Sequence, residues 1–257
     1  MNIACGSLCF TRRTFQRACA DIARLGFTHI DIAVLQAWAH FDASALVDSL
    51  DDAIDVAKSA LETSGLTPVA LNASAGTSEV ASEGTRLRAI CGFAQALGVN
   101  IISYVAPVEA VGLERAIRRY SRLAEMAAEC GVVLAIEAHA RTMLERPDRA
   151  IEFCEALDGV YLTLDPSHMY AGANDGAAYE QLYPYVKHTH WRDSGNDWEQ
   201  AQLPVGDGVV DFEAAITALQ ASGYDGSYAV EYIDTFPNGG ERNIEAMKQV
   251  LEDNLAG

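Results

Sequence analysis

Apolar and β-branched residues gather into short runs about thirty positions apart, and the intervals between them repeat an apolar residue every third or fourth position. The short runs predict strands over Asn2–Cys5, Thr28–Ala33, Pro68–Asn72, Ile101–Val105, Val132–Ala138, Val160–Leu164, Val186–Trp191 and Tyr228–Tyr232. The intervals predict helices over Thr14–Leu25, Ala43–Ser64, Leu87–Leu97, Leu113–Cys130, Arg149–Leu157, Phe212–Ser222 and Glu241–Asn254. Gly26, Gly65, Gly98, Gly131 and Gly223 each follow a predicted helix directly and serve as its left-handed terminator, and Asp211 is placed to cap the helix that starts at Phe212. Strands alternating singly with helices predict a parallel sheet. Eight such units in 257 residues predict one α/β domain, a (β/α)8 TIM barrel over residues 1–257, with no linker or low-complexity segment. An open doubly wound sheet would place a glycine-rich turn after its first strand, and the segment GSLCFTRR is no such turn.

Charge narrows the partners. Eighteen basic residues stand against thirty-six acidic ones, a formal net charge of −18. Such a surface repels nucleic-acid backbones and anionic membranes, so neither is expected as a partner, and a small-molecule substrate is. No apolar run approaches the eighteen or so residues that span a bilayer. The basic residues Arg12 and Arg13 follow the first apolar patch, the reverse of a secretory signal. Six cysteines form no CxxC or zinc-ribbon spacing and are expected reduced and mostly buried, which together with the rest predicts a cytoplasmic protein.

Chemistry in such a barrel sits at the C-terminal strand ends. The fifth predicted strand carries Glu137 and His139 in IEAHA, and the sixth ends in LDPSHM with Asp165 and His168. The seventh reads VKHTHWRDS, with His188, His190, Arg192 and Asp193, and the eighth brings Glu231 in VEYI. Period-two geometry puts Glu137 with His139, and His188 with His190, on one face of their strands. Singly, each fits an ordinary role: a salt-bridged carboxylate, a satisfied polar histidine, and for His188 a buried hydrogen bond one layer down. Polar groups at four consecutive strand ends are the signal, because buried carboxylates need a cation or close donors. Three carboxylates and an imidazole suit Mn²⁺, Mg²⁺ or Co²⁺ better than a structural zinc site.

The segments IEAHA, LDPSHM, HTHWRDS with the following LPVGDGVVDF, and VEYI resemble the xylose-isomerase-like barrels, the sugar phosphate isomerase/epimerase superfamily, over essentially the whole chain. The resemblance implies one divalent metal ion, Mn²⁺ first and Mg²⁺, Co²⁺ or Zn²⁺ after it, on Glu137, Asp165, His190 and Glu231. It makes His168 and Arg192 substrate contacts and gives Glu137 and Glu231 the proton transfers. The activity implied is isomerisation or epimerisation of a small sugar or polyhydroxylated carbonyl compound, the metal stabilising enediolate charge while a glutamate takes the proton beside the carbonyl. A lyase or dehydratase on a keto-sugar or keto-polyol would use the same metal and base. A non-catalytic sugar-binding or partner subunit is the third reading, and the family leaves room for a homodimer. Endonucleases on this barrel carry further metal histidines, which NASAG and YVAP at the third and fourth strand ends do not supply. His139 and Trp38 are further candidate substrate contacts, Tyr170 could shape the pocket, and Asp31 is the weakest candidate. The VGDG turn reads as a tight turn, Arg115, Arg118, Arg119 and Arg122 as a solvated helix stripe, and Trp191 as packing between barrel and helices.

Overall fold

In the computed structural model, which describes residues 2–173, 176 and 179–256, eight parallel strands close into a barrel in sequence order. They are β1 (Asn2–Gly6), β2 (His29–Val34), β3 (Thr67–Ala73), β4 (Ile101–Tyr104), β5 (Val133–Glu137), β6 (Val160–Leu164), β7 (Val186–Trp191) and β8 (Ser227–Val230). Each falls on a predicted run, displaced by no more than two residues at either end. The last strand pairs with the first through Asn2↔Ser227 to Cys5↔Val230, which leaves no open sheet edge.

The surrounding helices are α1 (Phe15–Arg24), α2 (Ala43–Asp48), α3 (Leu50–Ser64), α4 (Val80–Ala96), α5 (Leu113–Glu129), α6 (Pro147–Glu155), α7 (Pro166–Ala171), α8 (Phe212–Ala221) and α9 (Glu241–Leu255). Side-chain caps begin several of them: Thr14 accepts from the Arg17 amide, and Asp211 accepts from the Ala214 amide as expected. Gly65 ends α3 at φ 71°, where its amide donates to the Leu61 carbonyl.

Two helical expectations are corrected and one helix is added. The single helix over Ala43–Ser64 is two, broken at Ser49 (φ −140°, ψ 43°). The helix expected from Leu87 starts a full turn and more earlier at Val80, because the Glu79 carboxylate caps the amides of Ala81 and Ser82. The short α7 was not anticipated. Asp165 caps it through the Ser167 amide, and Pro166 fits its first position, where no amide donor is needed.

The core is continuous from the barrel interior to the helix layer. Trp191 points outward, as alternation from His190 requires, and packs on Tyr228 (5.8 Å between ring centroids) and Phe212 (6.3 Å). Arg119 departs from the solvated stripe predicted for it. Its guanidinium holds the buried Glu83 carboxylate with Nε at 2.8 Å, while Arg115, Arg118 and Arg122 remain exposed. Tyr104, at the end of β4, donates its hydroxyl to the same carboxylate, so the pair staples α4 and α5 to the barrel top. All six cysteines are free, and all but Cys130 are buried. Among the described residues no helix is long and apolar enough to cross a membrane.

Candidate functional site

Strand ends put the candidate side chains together because the barrel is closed and in sequence order. Glu137 is the last residue of β5, Asp165 and Glu231 each follow the last residue of β6 and β8, and His190 is next to last on β7. His190 Nδ1 lies 3.4 Å from Glu137 Oε1 and 3.6 Å from Glu231 Oε1. One atom from each of these three lies within 4.8 Å of the others, and Glu137, Asp165 and His168 form a second such group. Asp165 therefore joins the cluster through Glu137.

Supports fix most of these groups. The Asp165 Oδ1 atom is occupied by the Ser167 amide at 2.9 Å. The Asn72 amide, on β3, donates to Glu231 Oε1 at 2.9 Å. Gly6, ending β1, lets β8 come close, since a Cβ there would stand 3.2 Å from the Val230 carbonyl oxygen, just before Glu231. Arg192 is buried behind the cluster: Nε lies 3.0 Å from Ser167 Oγ and 3.1 Å from Asp165 Oδ2, and Nη2 donates to His168 Nε2 at 2.8 Å. An acceptor role at Nε2 places the proton of neutral His168 on Nδ1. That Nδ1, Arg192 Nη1 and Asp165 Oδ2 are buried and without a hydrogen-bond partner.

Asp31, ranked last from sequence, sits beneath the cluster. Its Oδ2 accepts from His188 Nε2 at 2.8 Å and from His190 Nε2 at 3.0 Å. The carboxylate thus turns the Nδ1 side of His190 toward the two glutamates. His188 takes the buried, hydrogen-bonded place one layer down.

Three carboxylates face one guanidinium in a buried site, and the ionisation of the groups reflects it. Burial, reinforced by Glu137 and Asp165, pushes Glu231 up to about 7 against the pull of His190 and Arg192. Glu137 is held at about 2, because the His190 hydrogen bond with His139 and Arg192 outweighs burial. Burial also raises Asp165. His190 would be lowered by burial, but Glu231, Asp31 and Glu137 hold it well above its ordinary value. Burial, with His139 and Arg192 adding to it, takes His168 well below its own.

Above the cluster opens a cavity of about 270 Å³. Its floor is polar, with Glu137, Glu231, Asn72, His139, His168 and Arg192, and its walls are apolar, including Leu8, Leu35, Val105, Ile233 and Phe236. Trp38 is on the wall, 43% exposed. Tyr170 does not line it and instead packs edge-on to Tyr179. The sequence reading missed Trp198, which stacks over His168 with ring centroids 6.0 Å apart and planes at 13°. It lies in the loop after β7, where no periodic pattern marks it. Asn72 was also missed, although a polar residue interrupting the apolar end of β3 was a signal of the kind used for its neighbours.

That loop is organised by Asp193. Its Oδ2 accepts from the Gly206 amide (2.8 Å) and the Gly208 amide (3.0 Å), so the VGDG segment is a tight turn wrapped on an internal carboxylate.

The chain belongs to the xylose isomerase-like TIM barrel family, whose model matches residues 19–253. No curated protein matches it. Among solved structures it superposes on a D-tagatose 3-epimerase-like protein with a TM-score of 0.77 at 17% identity, covering 100% of this chain and 97% of that one. The probable 3-DHS dehydratase AsbF of Bacillus anthracis, involved in petrobactin synthesis, gives 0.78 at 15%, with 98% of each chain covered. A xylose isomerase-like TIM barrel protein from Mycobacterium smegmatis, in complex with magnesium, gives 0.74 at 20%, covering 99% and 97%. At these identities the likeness is one of fold.

Proposed function

We propose that the protein is an isomerase or epimerase of a small polyhydroxylated carbonyl compound, using one divalent cation held by Glu137, Asp165, His190 and Glu231. The observation that carries this reading is the convergence of Glu137 and Glu231, from β5 and β8, on His190 Nδ1 at the floor of the cavity. The donor set fits a cation on its own terms. Three carboxylates outnumber the Arg192 charge, and Asp165 Oδ2, ion-paired with Arg192 Nε at 3.1 Å, accepts no hydrogen bond in its buried place. Its oxygen-rich composition suits Mn²⁺ first and Mg²⁺, Co²⁺ or Zn²⁺ next. A divalent cation at that place supplies Lewis-acid stabilisation of negative charge on substrate oxygens.

The protein side chains do the remaining work. One glutamate accepts the proton from the carbon beside the carbonyl, and the C–H electron pair moves into the new C=C bond as the carbonyl oxygen takes the charge. The other glutamate returns a proton, to the opposite face in an epimerase, or the proton goes to the neighbouring carbon in an isomerase. Asn72 holds the Glu231 carboxylate in one orientation. His168 Nδ1–H and Arg192 Nη1, which lies 3.6 Å from Glu231 Oε2, carry no hydrogen bond and have donor capacity left for substrate oxygens. His139 and Trp38, on the same cavity, bound the space that orients the substrate.

The test is deuterium incorporation from D₂O into free ketoses by Mn²⁺-loaded protein, followed by NMR and mass. Metal-dependent exchange without mass loss is expected, and Glu137→Gln and Glu231→Gln are each expected to lower it by about 10²-fold or more, the scale of one positioned acid–base group. An active Glu231→Gln protein would sink the mechanism. Exchange with loss of water would replace it by the dehydratase reading, and cation binding with no exchange by a binding role.

A further inference from the structure

The cavity over the polar cluster has a neighbour that shares part of its wall. Trp198, Ala201 and Phe236 line it on one side and on the other line a second chamber of about 290 Å³, completed by Glu199, Gln202 and Pro237. The two chambers differ in what they offer a ligand. The inner one has its polar groups gathered on the floor, where His168 Nδ1 has no hydrogen bond and Arg192 Nη1 has only the Glu231 carboxylate 3.6 Å away.

Among the described residues that line the outer one, Gln202 is the buried polar side chain, and both ends of its amide are engaged. Its Oε1 accepts from the Ile233 amide at 2.8 Å, and its Nε2 donates to the Ile233 and Pro237 carbonyls at 3.2 and 2.8 Å. Glu199 has its side chain 80% exposed and directed to solvent near Arg141. With the Gln202 amide engaged and Glu199 turned to solvent, a hydroxyl gains nothing in this chamber that water does not already offer it, whereas an apolar group covers Trp198 and Phe236. Phe236 itself is 40% exposed, a large apolar surface beside a polar site.

We infer that the substrate has two parts: an enolisable polyhydroxylated head at the inner cluster, and a flat apolar substituent of aromatic-ring size that leaves past Trp198 and Phe236 into the outer chamber. The inference rests on the enolisation reading above and names the substrate class for it. The polar contacts required for chemistry come from the head alone, and selection among substrates comes from the tail.

The experiment compares two probes with one head: a free ketohexose, and the same ketohexose carrying a benzyl ether on the carbon farthest from its carbonyl. Calorimetric Kd and deuterium-exchange kcat/KM are measured for each on the Mn²⁺-loaded protein and on Phe236→Ala. Covering one ring is expected to favour the benzyl ether about 10- to 100-fold, and Phe236→Ala is expected to shrink that ratio. Equal binding and exchange of the two probes by the wild-type protein overturns the inference and leaves the enolisation reading intact. Tighter binding of the benzyl ether with no exchange of either probe supports the two-part site and overturns enolisation instead. A preference that survives Phe236→Ala unchanged also overturns the inference, because the ring then binds elsewhere.

Discussion

Asp31 reaches two imidazoles with one oxygen, at 2.8 and 3.0 Å. A buried carboxylate that accepts from both Nε2 atoms leaves His190 Nδ1 facing the two glutamates, so the ring's orientation, and its tautomer once a cation displaces the Nδ1 proton, is set from below. Asp31→Asn keeps the size of the side chain but presents an N–H on one side, which can reverse the His190 tautomer. The expected outcome is Mn²⁺ affinity about 10- to 100-fold weaker by calorimetry, with the melting temperature of the metal-free protein little changed. Unaltered affinity would show that Asp31 is packing and not orientation. The same residue marks a limit of sequence reading. Glu137, Asp165, His190 and Glu231 each interrupt an apolar run at a strand end and were visible for that reason. Asp31 interrupts a run too, but its meaning depends on partners 157 and 159 positions away, and only the closed register of the barrel supplies them.

Elements were legible in proportion to how far local chemistry alone determines them. The eight strands declared themselves because a buried parallel strand is a short continuous apolar run. The start of α4 did not, since VASEGTR lacks an apolar period and its cap is a glutamate, outside the usual capping set. Arg119 shares its spacing with three exposed arginines, and only the packing of α4 against α5 separates it from them. The loop after β7 was read correctly as a turn, while its reason for being tight, the Asp193 carboxylate inside it, was invisible. That reason yields a prediction at this scale. A Cβ on Gly208 would stand 2.0 Å from Asp193 Oδ1, so Gly208→Ala must displace the carboxylate that gathers the turn. The expected cost is about 2 kcal/mol, roughly 4–8 °C in melting temperature. Because the same loop carries Trp198 into the cavity, calorimetric binding of the benzyl probe should weaken with it; a variant that melts and binds as the wild type would remove Asp193 from this role.

The whole molecule closes where its ends meet. β1 pairs with β8, and outside them α1 and α9 are tied by a charged cluster: Arg13 and Arg17 hold the Asp21 carboxylate, and Arg24 reaches Glu241 of α9 at 2.8 Å. Asp21 is covered by arginine heads and not sunk among apolar groups. Burial alone would raise its pKa, but Arg13 and Arg17 outweigh burial and leave it lowered. A carboxyl group depressed on folding adds stability that is complete above its unfolded value, near 4, and is lost as pH falls through its folded value. Asp21→Asn removes this contribution at every pH. The arginines are partly exposed and solvent-screened, so the expected loss at pH 7 is about 1 kcal/mol, or about 2–4 °C in melting temperature. The gap between wild type and variant should hold from pH 7 to about 5 and then close as the wild-type carboxylate takes its proton. Thermal melts at steps of pH check it. A gap of constant size down to pH 3 would mean that Asp21 contributes through shape, and that the seam between the first and last units is closed by the β1–β8 ladder without help from charge.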